Sequence, residues 1–171
     1  FYMMDQHAAH EKILYERLMK QFHEKTYHSQ MIMPPVILTL SLREEQILKE
    51  NWKTFTALGY EIEEFGGKEY KVTGLPAELP TVIDCKQLLI ELIDTIADES
   101  ATHDPERITE KVASMSCKAA VKGNNRLSFK EAEELMRELM EAENPYNCPH
   151  GRPTLIKMTK YEIERKFKRI L

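Results

Sequence analysis

Phe1-Tyr2-Met3-Met4 followed by Asp5-Gln6-His7-Ala8-Ala9-His10-Glu11-Lys12-Ile13-Leu14-Tyr15-Glu16-Arg17-Leu18-Met19 decides the fold class. The apolar opening reads as a strand. Asp5 is a good helix N-cap, and Leu14, Leu18 and Phe22 recur at i, i+4 and i+8, so an amphipathic helix follows. The other end of the chain repeats this order. Thr154 to Met158 reads as a strand, and Thr159 with Glu162 caps a last, basic helix.

Working inward, residues 23–35 are polar and end in Pro34-Pro35, which reads as a linker, and Val36 to Leu40 reads as a short strand. Ser41 and Glu44 form a capping box for a helix with Leu48, Trp52 and Phe55 on one face, and Gly59 stands where a helix-ending glycine belongs. Tyr60 to Glu63 and Glu69 to Val72 alternate around Gly66-Gly67, the pattern of a β-hairpin, and Pro76 and Pro80 bound a loop. Asp84 with Gln87 opens a helix carrying Leu88, Leu89, Leu92, Ile93 and Ile96. Asp104-Pro105 opens another through Ile108, Val112, Met115 and Ala119 to Gly123. Ser128 with Glu131 caps a third, which Asn144-Pro145 stops. The expected class is α+β with two lobes. Residues 1–30 and 106–171 would form an outer lobe, and 31–105 an inserted helix-hairpin-helix lobe.

Composition excludes several functions. The chain has 171 residues, 24 Lys+Arg against 28 Asp+Glu, and a net charge of −4. That acidity argues against a domain that holds nucleic acid by charge alone. Three cysteines argue against a disulfide-built secreted module. No stretch approaches the roughly 18 continuous apolar residues of a membrane span. The chain opens directly on a strand, as expected of a piece of a longer polypeptide.

Two groups of residues carry ligand chemistry. His7 and Glu11 are four apart, so a helix projects both from one face, with Asp5 just before the first turn. Taken alone, these are equally a capping Asp, an exposed His and a surface Glu. They are not a metalloprotease pair, because His7 and His10 are three apart rather than four. Cys148-Pro149-His150-Gly151-Arg152-Pro153 sets a thiol and an imidazole in a loop stiffened by prolines, which can aim both at one cation; a turn with a buried Cys is the other reading. Cys117 reads in isolation as a small apolar residue on a helix face, and Cys85 as core or rim. Mixed sulfur, nitrogen and oxygen donors suit Zn²⁺, with Mn²⁺ suited to the carboxylate side, and the combined set is large enough for two ions. Spacing alone stops at a possible metal site.

Asp5 to Glu16 matches the D-Q-H-A-x2-E-x4-E signature of the endonuclease-type MutL mismatch-repair proteins at every specified position. Ser116-Cys117-Lys118 resembles their A-C-(K/R) motif, with Ser in place of Ala. Cys148 to Pro153 resembles C-P-H-G-R-P, and Phe167-Lys168-Arg169 resembles the terminal F-x-R. These motifs stand in the family's order from end to end, so the chain resembles the C-terminal domain of that family.

The resemblance implies a metal-dependent endonuclease that nicks single strands of duplex DNA, stimulated by Mn²⁺ and able to hold Zn²⁺. It implies a homodimerisation domain in a bacterial, cytoplasmic, nucleoid-associated protein with no membrane association. Asp5, His7 and Glu11 would be catalytic; these three with Cys117, Cys148 and His150 would be the metal ligands. Gln6, Glu16, Arg152, Phe167 and Arg169 would be supporting residues, with Gln6 and Arg152 orienting ligands or contacting phosphate. The family's ATPase lies in a separate N-terminal domain, and the mismatch protein MutS is a partner of the full-length protein.

The family's sliding-clamp-binding segment, Q-x-x-(L/I)-x-P, has its nearest match at Ser29-Gln30-Met31-Ile32-Met33-Pro34. Ile32 and Pro34 fit, whereas Gln30 is displaced by one position. The basic tail, residues 157–171, is net positive in an acidic chain. It reads either as a solvated helix face or as Phe167 and Arg169 packing beside the site. A non-catalytic dimerisation and docking module with a structural zinc is the rival function. The acidity makes weak or no nicking the expectation for these residues alone.

Overall fold

The computed structural model of the chain describes residues 1–80, 83–99, 105–121 and 126–169. The class is α+β, as expected. The elements run β1 (Tyr2–Met4), α1 (Gln6–Glu24), β2 (Ser29–Thr39), α2 (Leu42–Glu50), α3 (Trp52–Ala57), β3 (Glu61–Gly66), β4 (Glu69–Pro76), α4 (Cys85–Glu99), α5 (Pro105–Ala120), α6 (Phe129–Glu141), β5 (Leu155–Lys157) and α7 (Lys160–Lys166). The chain forms two compact units, Phe1–Ile13 with Asn124–Leu171, and Leu14–Gly123. These boundaries fall at different residues from the 30/31 and 105/106 divisions expected above.

In the smaller unit, β1 pairs antiparallel with β5, with Met3 opposite Ile156. The mirrored strand-helix ends of the sequence therefore meet in one sheet. Beneath it Ala9, Ile13, Leu135 and Leu139 form a core, with Met4, Leu127 and Leu155 packed on it. Ala8 and Ala9 are fully buried; side chains this small let α1 approach its neighbours closely. The capping box of α6 is in place: the Glu131 N–H donates to Ser128 Oγ, and the Ser128 N–H donates to Glu131 Oε2 at 2.7 Å. The same device opens α7 at Thr159 and Glu162.

The larger unit holds a three-stranded antiparallel sheet in the order β2-β4-β3. Its core gathers Leu38, Phe55, Tyr70, Val72, Leu89, Leu92, Ile93 and Val112. The expected hairpin is β3–β4, and the Asp84 side chain caps α4 by accepting the Gln87 N–H at 3.0 Å. Gly59 needs to be glycine: its φ is +94°, and a Cβ there would lie 2.8 Å from the His28 carbonyl oxygen. Asp104 and Gly123, expected to bound α5, lie outside the described residues.

Three local expectations are corrected. The linker expected at 23–35 is in large part strand, because β2 begins at Ser29. Pro34 and Pro35 fall where the pairing with β4 shifts register between Met31 and Val36, on an edge strand, so their missing N–H groups interrupt little of the ladder. The helix expected through Leu48, Trp52 and Phe55 divides at Asn51, whose side chain turns back to donate to the Ile47 carbonyl at 2.9 Å. α6 ends at Glu141, ahead of Asn144-Pro145.

Candidate metal centre

The site lies in the smaller unit, where the first turns of α1 meet the loop before β5. Asp5 begins the assembly. Its N–H donates to the Thr154 carbonyl at 2.9 Å, and its Oδ1 accepts the Ala8 N–H at 3.1 Å. The first contact ties the helix start to the loop; the second is an N-cap. Thr154 is fully buried, and its hydroxyl donates to the Pro145 carbonyl while its N–H reaches the Tyr146 carbonyl at 3.0 Å. Thr154 thus anchors both helix and loop. The sequence offered only its place at the base of the loop as a signal for that role.

The loop is closed by backbone bonds. The Cys148 N–H donates to the Arg152 carbonyl at 2.8 Å, and the Gly151 N–H donates to the Cys148 carbonyl at 2.9 Å. Gly151 has φ +78°, a conformation that costs a side-chain-bearing residue energy. Pro149 fixes the preceding turn position. These constraints hold Cys148 and His150 toward α1.

Glu11, one helical turn beyond His7, receives them. It is 4% exposed. Arg152 Nη2 donates to its Oε1 at 2.9 Å and to its Oε2 at 2.8 Å, and His150 Nδ1 lies 3.3 Å from Oε2. Ligand atoms of Glu11, Cys148 and His150 all lie within 4.8 Å of one another. In a tetrahedral zinc site such atoms stand about 3.5 Å apart, so a modest contraction would serve. One oxygen, one sulfur and one nitrogen donor also fit the chemistry expected for Zn²⁺. The carboxylate of Glu11 holds the Arg152 guanidinium above its ordinary pKa, with the Cys148 side chain adding to the effect.

Other expected residues are placed differently. Among the described residues, Asp5 and His7 are not in the three-donor group. Gln6 and His7 are half-buried on the first turn of α1. Near them His10, which the sequence reading used only to exclude a metalloprotease pair, has its pKa lowered by burial, with Glu138 opposing and His7 adding to the drop. Cys117 is fully buried in the core of the larger unit, and Glu16 belongs to that unit as well. Its neighbour Ser116 is buried too, donating to the Val112 carbonyl and meeting the Tyr60 hydroxyl, both at 2.6 Å. Cys85 is core, as expected, and burial pushes its thiol up to about 12. Phe167 is 74% exposed and Arg169 is exposed in the single chain.

The expected clamp-binding stretch lies in β2 of the larger unit. Gln30 turns its amide onto its own chain, donating to the Pro76 carbonyl at 3.0 Å and to the Leu79 carbonyl. Ile32 packs against the core, whereas Met31 and Met33 are 76% and 79% exposed. Strand alternation explains the split and was the signal available: Gln30 and Ile32 share one face, the methionines the other. Met31, Met33 and Pro34 line a groove with Ile83 and Lys86.

Fold and site together define an α+β domain in which a helix start and a constrained loop bring together three donors of the types that hold a cation. Comparison with known families places the chain. The sequence model for the MutL C terminal dimerisation domain matches residues 1–127, and the chain belongs to that family. It is 52% identical over 170 residues to a DNA mismatch repair protein MutL from Agathobacter rectalis, covering 99% of this chain and 26% of that protein. Proteins of the same description from Clostridium beijerinckii and Caldanaerobacter subterraneus are 38% and 39% identical, again over 99% of this chain. The chain thus spans about a quarter of the length of the relatives it matches. Among the described residues, no helix is long and apolar enough to cross a membrane.

Proposed function

We propose that the chain is the metal-dependent nicking endonuclease region, and the homodimerisation region, of a mismatch-repair protein. The observation that carries this reading is the convergence of Glu11, Cys148 and His150, which come from opposite ends of the sequence. Among the described residues the group holds three protein donors rather than four, which favours an open catalytic site over a closed structural one, and so the nuclease over a docking module with structural zinc. The residues that would hold an ion are these three, with Asp5 and His7 on the adjoining first turn as candidates for a second. A divalent cation there would supply Lewis acidity, activating a water and neutralising charge at the leaving 3′-oxygen of a phosphodiester.

The chain's own residues do the positioning. The closed loop presents the Cys148 thiol and the His150 imidazole without further ordering. Asp5 fixes the start of α1 and so sets the height of His7 and Glu11 against that loop. With a net charge of −4, this region attracts duplex DNA weakly on its own. Delivery of DNA would fall to the ATPase region, a sliding clamp engaged near Met31 to Pro34, or MutS. The setting is the bacterial cytoplasm, at the nucleoid.

The test is nicking of supercoiled plasmid by the full-length protein with Mn²⁺. Asp5→Asn is expected to abolish nicking while leaving the fold intact. Wild-type nicking by that variant removes Asp5 from the mechanism.

A further inference from the structure

We propose that the Arg152 guanidinium is the exchangeable cation of this site: it pairs with Glu11 and has to leave that carboxylate when a metal ion binds. The inference rests on the metal-site reading above. Glu11 is buried, and a buried carboxylate needs a counter-cation. Arg152 supplies it by bracketing both oxygens, at 2.9 and 2.8 Å. His150 Nδ1 approaches the same carboxylate at 3.3 Å. Arg152 therefore holds one of the three donors, and a second points at the carboxylate it holds.

A metal ion and a guanidinium cannot both claim these oxygens cheaply. The ion would draw on carboxylate oxygens that the guanidinium already engages, and the two cations would repel each other at close range. Arg152 has somewhere else to go: its side chain is 51% exposed, against 5% for that of Glu11. The buried member of the pair is thus fixed and the exposed member is mobile. Metal binding becomes an exchange of cations on Glu11, and the apparent metal affinity is lowered by the strength of the contact being broken.

The experiment is a Zn²⁺ affinity measurement on the full-length protein by competition with a chromogenic chelator, for wild type, Arg152→Gln and Arg152→Lys. The Gln variant has no cation to displace and is expected to bind Zn²⁺ about tenfold more tightly, the scale of one charge-assisted contact. The Lys variant is expected to fall between the two, because it keeps a cation but carries it on a shorter side chain as a strongly hydrated ammonium. Equal or weaker Zn²⁺ binding by a folded Gln variant overturns the proposal and makes Arg152 a holder of the Cys148 loop. If the Gln variant misfolds, the Lys variant decides in the same sense. Absence of Zn²⁺ binding by the wild type overturns the metal-site reading itself, a separate and recognisable failure.

Discussion

Glu11→Gln removes the one buried carboxylate around which the site is arranged, while preserving its size. In the metal-free protein, the loss is that of the contacts from Arg152 Nη2 at 2.9 and 2.8 Å. Removing one partner of a fully buried ion pair costs about 3–5 kcal/mol. Here the guanidinium is half-exposed and returns to water, and the amide keeps one acceptor oxygen. The cost is therefore discounted to about 1–2 kcal/mol. In a chain of this size that lowers the thermal midpoint by about 3–6 °C. With Zn²⁺ at a hundredfold excess over its dissociation constant, the wild type regains about 2.7 kcal/mol, whereas the variant, short of a ligand, regains much less. Calorimetric unfolding with a chelator and with Zn²⁺ measures both quantities. An unchanged midpoint in chelator would refute the Glu11–Arg152 pair. An equal zinc-induced rise would refute Glu11 as a ligand.

Cys148→Ser should lower bound zinc per chain, and unchanged zinc by elemental analysis would remove the thiol from the ligand set. His10 carries a lowered pKa in the fold, so the unfolded chain binds its proton first; the stability this contributes is complete above 6.5 and is lost as the pH falls below that value toward the folded pKa. His10→Gln should flatten the decline in denaturant midpoint over that range, and a parallel decline in the variant would assign the effect to other groups. Met31→Glu with Met33→Glu should weaken sliding-clamp binding without changing zinc content, because both side chains face solvent, whereas Ile32→Glu should lower stability because Ile32 packs on the core. Clamp affinity left intact in the double variant would return β2 to a purely architectural role. Residues 1–171 alone should nick plasmid weakly or not at all, and efficient nicking would show that neither the ATPase region nor a clamp is needed.

The helix starts were legible because their signals are local. Ser41 with Glu44, Ser128 with Glu131 and Thr159 with Glu162 each close a capping box within four residues. The pairing of β1 with β5 was hinted at by two similar ends but needed the fold to be seen. β2 was missed over its first half because consecutive prolines ordinarily end a strand; here they coincide with a register shift that only the partner strand β4 reveals. At the site, the family resemblance pointed to Glu11, Cys148, His150 and Arg152, but spacing says nothing about a contact 141 positions away. For the same reason, the sequence could present Gln30 as part of a docking segment while the fold commits its amide to nearby carbonyls. Phe167 read equally as part of a solvated face or as packing, and it is exposed.

Zinc-edge anomalous diffraction from crystals of the metal-loaded protein tests the central claim most directly. The account predicts a peak bonded to Glu11, Cys148 and His150, with a fourth position open to solvent and Arg152 withdrawn from the carboxylate. A peak elsewhere, or an ion closed off by four protein ligands, would contradict it.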